Sequence, residues 1–146
     1  MASTTIREYT APASARLSRT RALGVAGAVL AAAAVWAVAV PLLGLHLMIR
    51  FGNAAPESVG IGLVVGASLI GSLLGWGLLA ILERRTARAR TIWTVVAMTL
   101  LLVSLSLPLS AGTTASTKVV LAMMHVAVAA VLIPALRGGS AMRSRI

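Results

Sequence analysis

Four long apolar stretches alternate with short polar, arginine-bearing segments along this chain. The hydrocarbon core of a bilayer is about 30 Å thick and takes roughly 20 apolar residues of helix to cross. By that measure the stretches predict four membrane-spanning helices, over residues 22–47, 59–82, 91–109 and 119–136. The predicted fold class is therefore all-α, an integral membrane bundle of four transmembrane helices with no strands, its membrane domain covering residues 22–136. The last two stretches are near the short limit, so their helices should stand more upright. Residues 1–21 are polar and basic, with Pro12 and several Ser and Thr, and predict a disordered cytoplasmic tail. Residues 137–146 form a second polar tail, and Gly138 and Gly139 should end the last helix.

The first stretch has a rival reading as a secretory signal. Arginines precede it, and Ala37-Val38-Ala39 resembles a cleavage site. A signal's apolar region, however, is usually about 7–15 residues long. This one is longer, which favours a retained helix.

Composition removes the soluble alternative. Hydrophobic residues make up 59% of the 146 and charged residues 11%, against roughly a quarter charged in a soluble domain. A soluble core of this size cannot hide so many apolar side chains. With no cysteine, no disulfide, thiolate metal site or cysteine nucleophile can form. Twelve arginines against one lysine, with abundant Ala, Val and Gly, fit a bacterium with a GC-rich genome.

The net charge of +10 would suggest nucleic acid in a soluble protein. Here the cations flank apolar spans and no basic stripe is interleaved with aromatics, so no nucleic-acid partner is expected. With the N-terminus inside, eleven of the 13 basic residues fall on the inner side: Arg7, Arg16, Arg19, Arg21, Arg84, Arg85, Arg88, Arg90, Arg137, Arg143 and Arg145. Only Arg50 and Lys118 fall outside. That bias predicts both termini in the cytoplasm and a plasma-membrane location. Arg84, Arg85, Arg88 and Arg90 are read as a topology determinant that contacts anionic phospholipid headgroups; a docking site for a cytoplasmic partner is the sharper alternative. Trp93 should anchor the third span at the interface.

Helices in lipid associate through small residues. Gly62 with Gly66, Gly71 with Gly75, and Ser68 with Ser72 make small-xxx-small pairs in the second span. They predict a centrally placed helix that packs on two faces, or a face that joins a second copy or another membrane protein. Ala31 to Ala34 allow close approach in the first span. Pro41, Pro108 and Pro134 should bend their helices. The first two lie near outer ends, where two bends would splay the bundle into a vestibule; bends without a role are the favoured reading.

His125 is the deepest ionisable group, about 12 Å below the outer boundary. Groups at such depth usually face the bundle interior and find a partner. Its helical stripe, Lys118, Ala122, His125 and Ala129, reads as a packed face, and Ser68 or Ser106 is the expected partner. A structural hydrogen bond is favoured over a ligand contact or proton relay.

His46 lies at the outer end of the first span. A haem held by His46 and His125 needs both ligands on one iron, and their depths differ by about 12 Å. A copper site with Met48, Met123 or Met124 is chemically allowed, but Met at helical spacing is more often packing. No metal and no cofactor are expected. The chain has no Asp, and its three acids, Glu8, Glu57 and Glu83, all lie outside the predicted membrane depth or at its edge. No catalytic residue and no enzyme activity are expected. The same absence weakens a small proton-coupled exporter, which normally needs a deep carboxylate.

Three segments carry a family likeness: Val35-Trp36-Ala37-Val38-Ala39-Val40-Pro41-Leu42-Leu43-Gly44, then Leu82-Glu83-Arg84-Arg85-Thr86 leading to Ile92-Trp93, and Met124-His125 followed by Val131-Leu132-Ile133-Pro134. Over roughly residues 20–137 the chain resembles small four-helix integral membrane proteins of actinobacteria catalogued as a domain of unknown function. The resemblance implies the same four-span architecture and brings no activity, substrate or cofactor. The function expected is that of a non-enzymatic accessory or lipid-interacting component. A small transporter using His125 is the runner-up, followed by a haem or redox subunit using His46 and His125.

Overall fold

The computed structural model describes residues 13–138, with side chains from residue 17. The outermost parts of both predicted tails, with Arg7, Arg143 and Arg145, lie outside the described residues. Four helical segments are long and apolar enough to cross a membrane: Leu17–Leu42, Ile61–Arg85, Ala89–Ala111 and Ala115–Gly138. The third and fourth are 23 and 24 residues long. They are longer than the stretches read from the sequence, because polar residues at their ends continue the helix.

Helix α1 runs Ala13–Ala37, so it begins inside the stretch read as tail. A π-helical turn, Val38–Leu42, continues it. Two short strands follow, β1 at Met48–Ile49 and β2 at Glu57–Ser58, paired antiparallel with Met48 opposite Ser58. This small hairpin departs from the strand-free expectation. A polar connection between spans lies outside the apolar pattern, and two-residue pairing leaves no periodic signal. Helices α2 (Ile61–Arg85), α3 (Ala89–Ser104), α4 (Ser106–Ala111) and α5 (Ala115–Gly138) complete the chain.

Proline explains both interruptions. Its ring clashes with the carbonyl four residues back. Four residues before Pro41 is Ala37, where α1 gives way to the π-turn. Four residues before Pro108 is Ser104, where α3 ends. Pro134 sits inside α5, which continues through it.

Helices α1, α2, α3 and α5 form a ring in which α1 packs most extensively on α5 and then on α2, while α3 packs more lightly on α2 and α5. Glycine permits the tightest approach, but in α1. A Cβ on Gly24 would lie 2.6 Å from the Ala135 Cβ, and one on Gly27 would lie 3.2 Å from Val131 Cγ1. One apolar cluster, including Val25, Ala28, Leu79, Trp93, Leu132 and Leu136, fills one end of the ring. A second, including Ala32, Ala39, Leu47, Val59, Val64, Val120 and Met124, fills the other.

Charge separates the two ends. Arg84, Arg85, Arg88, Arg90 and Arg137 lie at one, with the start of α1. Arg50 and Lys118 lie at the other, which the hairpin covers. The hairpin is tied to the α4–α5 connection by Arg50 N–H to the Ala111 carbonyl at 2.9 Å and Thr113 N–H to the Met48 carbonyl at 3.2 Å. Thr114 caps α5, its Oγ1 accepting from the Thr117 N–H at 3.2 Å.

Candidate functional site

The light packing of α3 leaves an apolar cleft of about 540 Å³ between α2, α3, α4 and α5. This lies within the usual range for small-molecule sites, roughly 300–1,000 Å³. Each helix offers one stripe to it. From α2 come Val64, Ser68, Gly71, Gly75 and Leu78, the i, i+3/i+4 spacing of one helical face. Trp93, Ala97, Leu100 and Ser104 come from α3, and Leu121, His125, Val128 and Leu132 from α5. Pro108 and Ala111 of α4 and Ile49 and Phe51 of the hairpin segment border one end.

His125 is half-buried in the cleft wall. Its Nδ1 lies 2.7 Å from the Leu121 carbonyl. A carbonyl only accepts, so Nδ1 carries the hydrogen; in the neutral tautomer this leaves Nε2 as an acceptor. The partner is thus the helix's own backbone, not Ser68 or Ser106. Ser106 is exposed and donates to the Val103 carbonyl at 2.6 Å, outside the cleft. Ser68 and His125 do line the same cleft. The alanine stripe around His125 therefore faces the cleft through Ala129, not a tightly packed helix. His46 is exposed beside the hairpin and does not line the cleft. Among the described residues no three His, Cys, Asp or Glu side chains gather as metal ligands.

The four α2 glycines expected to serve packing, Gly62, Gly66, Gly71 and Gly75, divide. A Cβ at Gly62, Gly66 or Gly71 would meet nothing within 4 Å. At Gly75 it would make ordinary contacts with Leu132 at 3.7 Å and Trp93 at 3.9 Å. Within one chain, then, the first three do not serve close helix packing. Gly71 and Gly75 instead keep the α2 wall of the cleft low.

Two features escaped the sequence reading. Trp93 is only 2% exposed, and its indole N–H donates to the Gly75 carbonyl at 2.8 Å. It pins α3 to α2 at the cleft floor and is not an interfacial anchor. Arg21, assigned to the tail, is buried and ion-paired to Glu83. The signal available was that Glu83 is the single acid among the predicted inner-end residues of the membrane domain. By contrast Arg84, Arg85, Arg88 and Arg90 are exposed at that end.

The profile of one family, described as a family of unknown function (DUF6069), matches residues 12–142 of the chain. No curated protein and no solved structure gives a significant match.

Proposed function

The chain belongs to the DUF6069 family of unknown function, and from that premise we propose that it is a non-enzymatic, multi-pass protein of a bacterial plasma membrane that holds one lipid chain in the cleft between α2, α3 and α5. Both termini face the cytoplasm, and the exposed arginines at 84, 85, 88 and 90 contact anionic headgroups of the inner leaflet. The separation of Arg84, Arg85, Arg88, Arg90 and Arg137 from Arg50 and Lys118 across the bundle supports this orientation. The arginine-rich composition supports the bacterial assignment.

The observation that carries the reading is the cleft itself. Its walls are almost wholly apolar, and it is partly open to the surface. From Leu121 to Ile133 it follows α5 for about 18 Å, a little more than half of the roughly 30 Å hydrocarbon core. A trough of that length suits an acyl chain from one leaflet. His125 is the one titratable side chain among the lining residues, and a proton relay needs a second group to receive the proton. The transporter reading therefore has less support.

Native mass spectrometry of the detergent-purified protein tests the proposal. A one-to-one lipid adduct is expected in the parent and absent in Gly71→Phe, whose ring would fill the cleft. A parent free of lipid, or an adduct unchanged by Gly71→Phe, would overturn it.

A further inference from the structure

The positive-inside bias leaves two basic residues at the hairpin end, Arg50 and Lys118, and each neighbours residues that line the cleft without lining it itself. Arg50 stands between Ile49 and Phe51, which line it. The Arg50 N–H is fixed to the carbonyl of Ala111, another lining residue, at 2.9 Å. Lys118 precedes Leu121 and His125 on α5 at i, i+3, i+7, so it extends the cleft-facing stripe by one turn. Its stem runs over Gly112, where a Cβ would lie 2.7 Å from Lys118 Cγ. Gly112 is in turn bridged to Ile49. The hairpin thus places both cations at the end of the bundle where the cleft begins, just beyond its lining.

Among the described residues neither cation forms an ion pair. The ion pair formed among the described residues is Arg21–Glu83, at the opposite end. Glu57 is the acid of the hairpin. It faces Ile49 in register and is exposed, and it forms no ion pair with Arg50 or Lys118. An apolar trough with two cations just beyond its hairpin end matches an amphiphile with an anionic head.

We propose that the lipid of the cleft is an anionic phospholipid of the outer leaflet, its chain along α5 beside Ser68 and His125 and its phosphate between Arg50 and Lys118. This rests on the lipid-chain reading above and adds the headgroup and the leaflet. The arginine cluster at positions 84 to 90 plays no part in this selection. The chain supplies the anchoring and the cations supply the selectivity. Lys and Arg hold phosphates at an interface as long-stemmed cations, with the stems lying on apolar surface.

The test offers the full-length protein phosphatidylglycerol and phosphatidylcholine with identical acyl chains, in mixed micelles, and reads retention by native mass spectrometry. Phosphatidylglycerol should be retained about thirtyfold better, the effect expected of two near-surface cations. In Arg50→Gln/Lys118→Gln that preference should fall to about twofold or less, with phosphatidylcholine retention unchanged. Replacing Arg84, Arg85, Arg88 and Arg90 by Gln should leave the preference intact. Free glycerol phosphate in excess should displace nothing, because it lacks the chain. Equal retention of the two lipids would overturn the headgroup assignment while leaving the chain-binding reading standing. So would a preference that survives Arg50→Gln/Lys118→Gln, one lost with the arginine cluster, or displacement by glycerol phosphate. Retention of neither lipid would overturn both.

Discussion

The guanidinium of Arg21 donates through Nη2 to Oε1 of Glu83 at 2.5 Å, joining α1 to the last turn of α2 across 62 residues of sequence. The Arg21 side chain is 6% exposed and that of Glu83 28%. Breaking such a pair from one side leaves a charge without its counter-ion, which typically costs about 3–5 kcal/mol. Glu83→Gln should therefore lower the thermal unfolding midpoint in detergent sharply. Arg21→Met/Glu83→Leu should recover much of the loss, because an apolar pair replaces the ionic one. Equal destabilisation by the single and double variants would show that the charge pairing is not what matters there.

The contact of α1 with α5 should be the least tolerant of added volume. Gly24→Ala places a methyl 2.6 Å from the Ala135 Cβ, and that neighbour is fixed to its backbone. The helices must separate, at a cost of about 1–3 kcal/mol. Gly66→Ala meets nothing within 4 Å and should change stability by no more than about 0.5 kcal/mol. Thermal unfolding of the two variants side by side checks both statements. If Gly66→Ala is the damaging one, the α2 glycines face a partner.

Trp93 should matter through its hydrogen bond as well as its bulk. Trp93→Phe keeps most of the ring but loses the N–H that meets the Gly75 carbonyl at 2.8 Å. A loss of about 0.5–1.5 kcal/mol is expected, against about 3–5 kcal/mol for Trp93→Ala. Denaturation in detergent and urea distinguishes the two. A neutral Trp93→Ala would mean that α3 is not held to α2 by this residue.

Orientation is directly accessible because the chain has no cysteine. Single cysteines at Ser58, in the hairpin, and at Ala87, between α2 and α3, report the two ends. In intact cells a membrane-impermeant maleimide should label Ser58→Cys and leave Ala87→Cys unlabelled until the cells are opened. The reverse pattern would invert the topology and place the cleft's cations in the cytoplasm.

The four spans were legible in the sequence because bilayer thickness imposes a length of apolar chain that any window reveals. The proline breaks were legible for the same local reason, since the clash reaches only four residues back. Arg21 was misassigned because a cation before an apolar stretch looks like a flank, whereas its partner lies on another helix. Gly62, Gly66 and Gly71 suggested packing because glycine reports that a surface is low, not what lies against it. His125 lines the cleft as an interior-facing group would, yet its Nδ1 hydrogen bond is satisfied by its own helix at Leu121. The cleft was invisible in the sequence, because it arises from how far α3 stands from α2 and α5, and no periodicity within one helix records that distance.

The central claim is that a lipid chain occupies the cleft, and photo-crosslinking tests it most directly. A phospholipid with a diazirine midway along its acyl chain is reconstituted with the protein and irradiated, and the adducts are mapped by peptide mass spectrometry. Adducts concentrated on the cleft stripes of α2 and α5, around Ser68, Gly71 and His125, and lost in Gly71→Phe, are the predicted result. Adducts spread over outward-facing residues such as Leu23, Leu30 and Leu74, with none in the cleft, would contradict it.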